Sequence, residues 1–142
     1  MANEYARNIQ DASLNPATFA LPTTLLAAGS KQSAAIDLGT DTFKPEEVEL
    51  ELSIPALSST IAPAGSTGGV TYAIESGTTS TFTTASRTIV SKTIAGSASG
   101  VAATLVRCRV PSDCEQYVRA RVTLATTCTD ASAVAGTLTI RF

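Results

Sequence analysis

The chain of 142 residues has no histidine, no tryptophan and only three lysines. Without histidine it lacks the side chain that exchanges protons near neutral pH, the commonest zinc ligand, and the base of every Ser-His or Cys-His pair. Most hydrolytic chemistry is thereby excluded, and the sequence assigns no catalytic, cofactor-binding or metal-ligating residue and no cofactor. Charge is also scarce: charged residues make up 15% of the chain and the net charge is −2, against a usual charged share of about 25%. A polybasic nucleic-acid binder does not fit, nor does a heavily solvated acidic protein. No run approaches the roughly 20 apolar residues of a membrane helix, and no basic segment followed by an apolar stretch opens the chain. The expectation is a protein made in the cytoplasm, with neither membrane nor nucleic acid as partner. No repeat of 20 to 50 residues marks a solenoid or propeller.

Cysteine occurs three times, at 108, 114 and 128. An odd count without C-x-x-C spacing indicates neither a disulfide framework nor a thiolate metal site. Cys108 and Cys114 flank Val110-Pro111-Ser112-Asp113, and a hairpin there would set them opposite each other. Whether they pair stays open, with reduced thiols the expectation in an intracellular product.

What the chain has in abundance is threonine (22), serine (15) and alanine (23), a composition poor in helix formers and suited to pleated sheet. Residues 1–30 read differently from the rest, with Pro16, Pro22 and apolar side chains in no sustained period. They are expected to form an extended N-terminal arm, in which Tyr5, Ile9 and Ala12 would share one face of a short helix. Residues 31–142 read as strand after strand. Ala34 to Leu38 comes first, then Glu46 to Ile54, where Val48, Leu50, Leu52 and Ile54 alternate with Glu47, Glu49, Glu51 and Ser53. A slip of one residue there would bury three carboxylates. Ser58 to Gly69 reads as an exposed loop, followed by strands at Val70 to Glu75, Thr81 to Thr84 and Arg87 to Ile94. Val101 to Val110, Tyr117 to Ala125 and Gly136 to Phe142 alternate as well. Seven or eight short strands imply an all-β fold, a two-sheet antiparallel sandwich of jelly-roll or immunoglobulin-like kind.

Two stripes carry the charge. Asp37, Asp41, Glu46, Glu47, Glu49 and Glu51 set six carboxylates against Lys44 within fifteen residues. Oxygen ligands at alternate strand positions form a row and do not converge as calcium requires, and the pair Glu49 and Glu51 has no cleft to make it a glycosidase site. A docking face and a solvated strand face remain. Arg107, Arg109, Arg119, Arg121 and Arg141 form the opposite stripe, with i, i+2 spacing that projects each pair from one face of its strand. If neighbouring strands merge them, the patch suits a protein interface, because guanidinium forks pair carboxylates two bonds at a time. Pairing with the acidic stripe inside the molecule is the other reading. Phe19, Leu21 and Leu25 add an apolar contribution from the arm. An acidic and a basic stripe on one small domain suit contacts between copies.

The arm with Gln10-Asp11-Ala12, the tract Ser33-Ala-Ala-Ile-Asp-Leu-Gly39, and the tract Pro111 to Thr123 with Tyr117-Val-Arg119-Ala-Arg121-Val-Thr together resemble the jelly-roll capsid cement proteins, also called decoration or stabilisation proteins, of tailed bacteriophages. The resemblance runs over most of the chain, although the hairpin expected between Cys108 and Cys114 is no part of it. It implies a jelly-roll sandwich with no enzymatic activity, bound in many copies to the outside of the virion's shell of major capsid protein. It also implies a homo-oligomer, a dimer before a trimer, that resists internal DNA pressure. Two readings stand beside it: another phage structural protein, of the tail tube or head completion, and a surface- or carbohydrate-binding sandwich. The latter lacks the aromatics on which sugars stack, since only 5% of residues are aromatic.

Overall fold

A computed structural model describes residues 17–20, 29–39, 48–65, 69–83, 86–125, 127–129, 131 and 133–141. They form nine strands: β1 (Ala17–Ala20), β2 (Ser30–Gln32), β3 (Ile36–Asp37), β4 (Glu49–Ile54), β5 (Val70–Gly77), β6 (Arg87–Ile94), β7 (Thr104–Arg109), β8 (Tyr117–Leu124) and β9 (Ala135–Arg141). One sheet has the order β1-β9-β4-β7 and the other β2-β8-β5-β6, with β3 also on β8. All the pairings between these strands are antiparallel.

β2 and β3 are two parts of one strand position. Ser30 pairs with Thr123 and Gln32 with Arg121, but Ile36 pairs with Val118, so one extra residue is accommodated between them. Ser33 bridges the break: its backbone N–H donates to the Ala120 carbonyl and its hydroxyl accepts the Ala120 N–H, both at 2.9 Å. Counted this way, eight strand positions run 1-8-3-6 in one sheet and 2-7-4-5 in the other. That is the jelly-roll order, and it settles the choice between the two sandwich types.

The core is what period-2 alternation dictates. Leu50, Leu52 and Ile54 of β4 meet Val70, Tyr72 and Ile74 of β5, Val118, Ala120, Val122 and Leu124 of β8, and Leu138 and Ile140 of β9, all buried. Each such aliphatic side chain contributes about 1.5–3 kcal/mol by leaving water. Burial pushes the Tyr72 phenol far above its ordinary pKa, with the Cys128 thiol adding to the shift.

Several expectations give way to the structure. Thr81–Thr83 lie in the β5–β6 connection and form no strand, because a β-prone run without a partner ladder has nothing to satisfy its backbone. Ala17–Ala20, within the stretch read as an arm, pair with β9, Ala17 opposite Leu138 and Ala20 opposite Ala135; the sandwich therefore takes in residues from that stretch. The short helix over residues 3–12 lies outside the described residues. The stretch from Ser58 is a loop, as expected, with Ser58, Ser59, Thr60, Ala64 and Gly65 exposed, but Ala62 within it is fully buried and bonds run from Ser97 to Ala62 and from Thr129 to Ile61. At Gly69 the backbone has φ +51°, and a Cβ would lie 1.9 Å from the Ile94 carbonyl oxygen, so only glycine fits there. The segment between Cys108 and Cys114 is no hairpin. It closes a turn, Cys114 N–H to Pro111 carbonyl at 3.0 Å, while carrying the chain from β7 in one sheet to β8 in the other. Cys108, Cys114 and Cys128 are all thiols, and burial raises the Cys108 pKa, with Cys114 and Glu49 adding to it.

Candidate functional site: two arginine–glutamate faces

The crossing from β7 to β8 decides where the arginines go. Consecutive in sequence, the two strands belong to different sheets, so Arg107 and Arg109 do not merge with Arg119 and Arg121. The single patch expected from strand adjacency is replaced by two clusters on opposite outer faces. Arg141 joins the first, because β7 and β9 both flank β4.

On the outer face of the β1-β9-β4-β7 sheet, Glu51 pairs in register with Arg107 and Thr139, and Glu49 with Arg109 and Arg141. Glu51 Oε2 accepts Arg107 Nε–H at 2.7 Å and its Oε1 accepts Arg141 Nη2–H at 2.8 Å. Its side chain points away from the core yet is only 8% exposed, because the two arginine stems close over it; their own side chains stay 53% and 55% exposed. Desolvation alone would raise the Glu51 pKa, but the bonds and charges of Arg107 and Arg141 outweigh it and hold the carboxyl below its ordinary range. Arg109 faces Glu49 across the ladder, and no ion pair joins them. Leu105, two residues before Arg107 on the same side of β7, is the exposed large apolar side chain among the described residues.

On the opposite outer face, Glu75 of β5 stands beside Arg119 and Arg121 of β8. Arg119 donates twice to Glu75 Oε2, from Nε at 3.0 Å and Nη2 at 2.9 Å, and its Nη1 reaches Gln32 Oε1 at 2.8 Å. Phe82 covers it, with the guanidinium carbon 4.0 Å from the ring centroid, a favourable cation–π arrangement. Phe82 adopts φ +52°, a region a bulky side chain rarely enters. The ring is seated over Gly77, where a Cβ would lie 2.8 Å from it. Arg119 is consequently 11% exposed and Glu75 6%. Arg121 reaches Glu75 at 3.4 Å and is 41% exposed.

Of the residues singled out from sequence, Arg107, Arg109, Arg141, Glu49 and Glu51 come together, and Arg119 and Arg121 lie apart from them. Phe19 contributes a backbone position opposite Gly136; its side chain, like Leu21, Leu25 and Glu47, lies outside the described residues. Sequence reasoning passed over Glu75, Gln32 and Phe82. Glu75 was findable: with Val70, Tyr72 and Ile74 inward, parity puts it on the outer face of its strand. Nothing in the sequence announces that the β5–β6 connection folds Phe82 onto Arg119. Among the described residues no three His, Cys, Asp or Glu side chains converge as a metal site.

No protein-family profile matches the chain, and no curated protein sequence matches it. Among solved structures it is similar to a chain of the cowpea mosaic virus empty virus-like particle seen by electron cryo-microscopy, with 11% identity, a TM-score of 0.46, and coverage of 90% of this chain and 79% of that one. It is similar in the same degree, 11% identity and TM-score 0.46, to a chain of the naturally occurring empty particles of that virus, covering 90% of this chain and 82% of the other.

Proposed function

We propose that the chain is a capsid cement protein of a tailed bacteriophage: a non-enzymatic structural component that binds the outside of the major capsid protein shell in many copies and stabilises it against internal DNA pressure. The observation that carries this reading is the meeting of the two tracts on which the family resemblance rests. Ser33–Gly39 and Tyr117–Thr123, some eighty residues apart in sequence, lie on adjoining strands, Asp37 opposite Tyr117 and Ile36 opposite Val118. Gln116 ties them further, donating from Nε2 to Asp37 Oδ1 at 3.0 Å and to the Tyr117 hydroxyl at 3.2 Å. Asp37 also accepts the Gly39 N–H at 2.8 Å, which turns the chain at the Asp-Leu-Gly end. Short motifs that form one hydrogen-bonded unit support the family reading more than the same motifs scattered over the surface.

Attachment by many symmetric copies lets modest contacts hold firmly through effective concentration. The test is sedimentation of the purified protein alone and after mixing with capsid shells that lack it. Co-sedimentation at a fixed stoichiometry is expected; assembly into rings without shells, or binding to glycans, would replace the reading with a tail or a surface-binding role. A deletion that probes an N-terminal arm stops at residue 16, since removing residues 2–25 also takes away β1 and its ladder with β9.

A further inference from the structure

We infer that the outer face of the β1-β9-β4-β7 sheet is a docking surface for an acidic protein surface, with Arg107, Arg109 and Arg141 taking its carboxylates and Leu105 packing at the end of the row beside Arg107. As far as the partner is the capsid shell, this rests on the function proposed above; the chemistry of the face does not.

Charge complementarity identifies the occupant. Among the described residues the face sets three guanidiniums against two carboxylates, Glu49 and Glu51, an excess of positive charge on a chain whose net charge is −2. Glu51 uses one bond to Arg107, through Nε, and one to Arg141, through Nη2. The other N–H groups of both forks are therefore available while the side chains that carry them are held in place. A fixed, half-exposed guanidinium loses little freedom when it takes a second carboxylate, which is the advantage of preorganisation. Arg109 has no ion pair to give up. Leu105, Arg107 and Arg109 alternate along one edge strand, so an apolar side chain stands in line with two cations, the composition of an interface centre with a charged rim. The other outer face is a poor competitor, because Arg119 is already spent on Glu75, Gln32 and the Phe82 ring. Stacking aromatics for single-stranded nucleic acid are missing from this set of side chains, which favours protein over nucleic acid.

Two measurements separate this inference from the function it rests on. In the first, NMR of the full chain follows arginine Nε–H and leucine methyl signals during titration with a peptide of alternating glutamate and leucine. Saturable shifts at Arg107, Arg109, Arg141 and Leu105, absent with a lysine–leucine peptide of the same length, are expected. Shifts confined to Arg119, Arg121 or β6, no shift at all, or tighter binding of a single-stranded oligonucleotide to the same face, would overturn the inference. In the second, capsid shells lacking the protein are mixed with wild type, with R107E/R109E, and with R87E/K92E as an equal charge change elsewhere. R107E/R109E should lose tenfold or more in shell affinity, and R87E/K92E roughly twofold at most. Shells that bind wild type and R107E/R109E alike sink the docking face and leave the cement reading standing. Shells that ignore wild type while the peptide still shifts the face sink the cement reading and leave the docking face standing.

Discussion

The two outer faces use the same chemistry, one carboxylate between two arginines, and arrive at different states. Around Glu75 the cluster is sealed: Arg119 is 11% exposed, capped by an aromatic ring, and its donors are used within the molecule. Around Glu51 only the carboxylate is covered, and the arginines that cover it remain more than half exposed. The difference lies in the connections. The β5–β6 connection brings Phe82 back over its sheet, whereas β7 is the edge strand of its sheet among the described residues, with Leu105 and Arg109 beside the cluster. A sealed pair spends its charge on the fold; an open pair keeps donors for a partner.

The comparison is broken most directly by removing each carboxylate. Glu75→Ala leaves Arg119 a buried cation without its counter-ion and should cost about 3–4 kcal/mol in urea unfolding. Glu51→Ala leaves two arginines that can turn to water, and about 1–2 kcal/mol is expected by the same measurement. A reversed order would mean that exposure of the arginines does not set the cost. Acid sharpens the contrast. Because the folded Glu51 pKa lies below its ordinary 4.5, its contribution is complete above that value and is lost as pH falls below it through the folded pKa. The melting temperature of Glu51→Gln should therefore fall less steeply than that of wild type over this acidic window, and the two should differ most above about pH 5. Gly77→Ala should displace the Phe82 ring, since its Cβ would lie 2.8 Å from it; the Arg119 Nε–H resonance should move, with a stability loss of about 1 kcal/mol. The smallest effect belongs to Arg109→Gln, which breaks no ion pair and should leave unfolding within about 0.5 kcal/mol of wild type.

Much of the sandwich was legible because half-buried strands write their two faces into alternate residues. β4, β8 and β9 follow that parity from end to end, and their inward sets are the core found. β1, β2 and β3 are four, three and two residues long, too short to show a period, and owe their existence to the β9 and β8 ladders they join. The arginine stripe was legible residue by residue and misplaced as a whole. Parity along a strand says which side chains share a face, but not which sheet the strand enters, and in this topology β7, β8 and β9 alternate between sheets. Among the described strands only β5 and β6 are consecutive and paired with each other. The sealed cluster needed Gln32, Glu75, Phe82 and Arg119 from four parts of the chain, which no local pattern brings together.

The position of β9 bears on how the molecule is made. It sits between β1 and β4, so β1 has no ladder until β9, the last of the nine strands to be made, has left the ribosome. The β5–β6 ribbon needs only its own short connection and is ready to form while synthesis continues. During that interval β4 and β7 present incomplete edges, and crowded nascent copies would be exposed to pairing with one another. Slowing translation over the codons between β7 and β9 should lower soluble yield, whereas the same delay upstream of β5 should not.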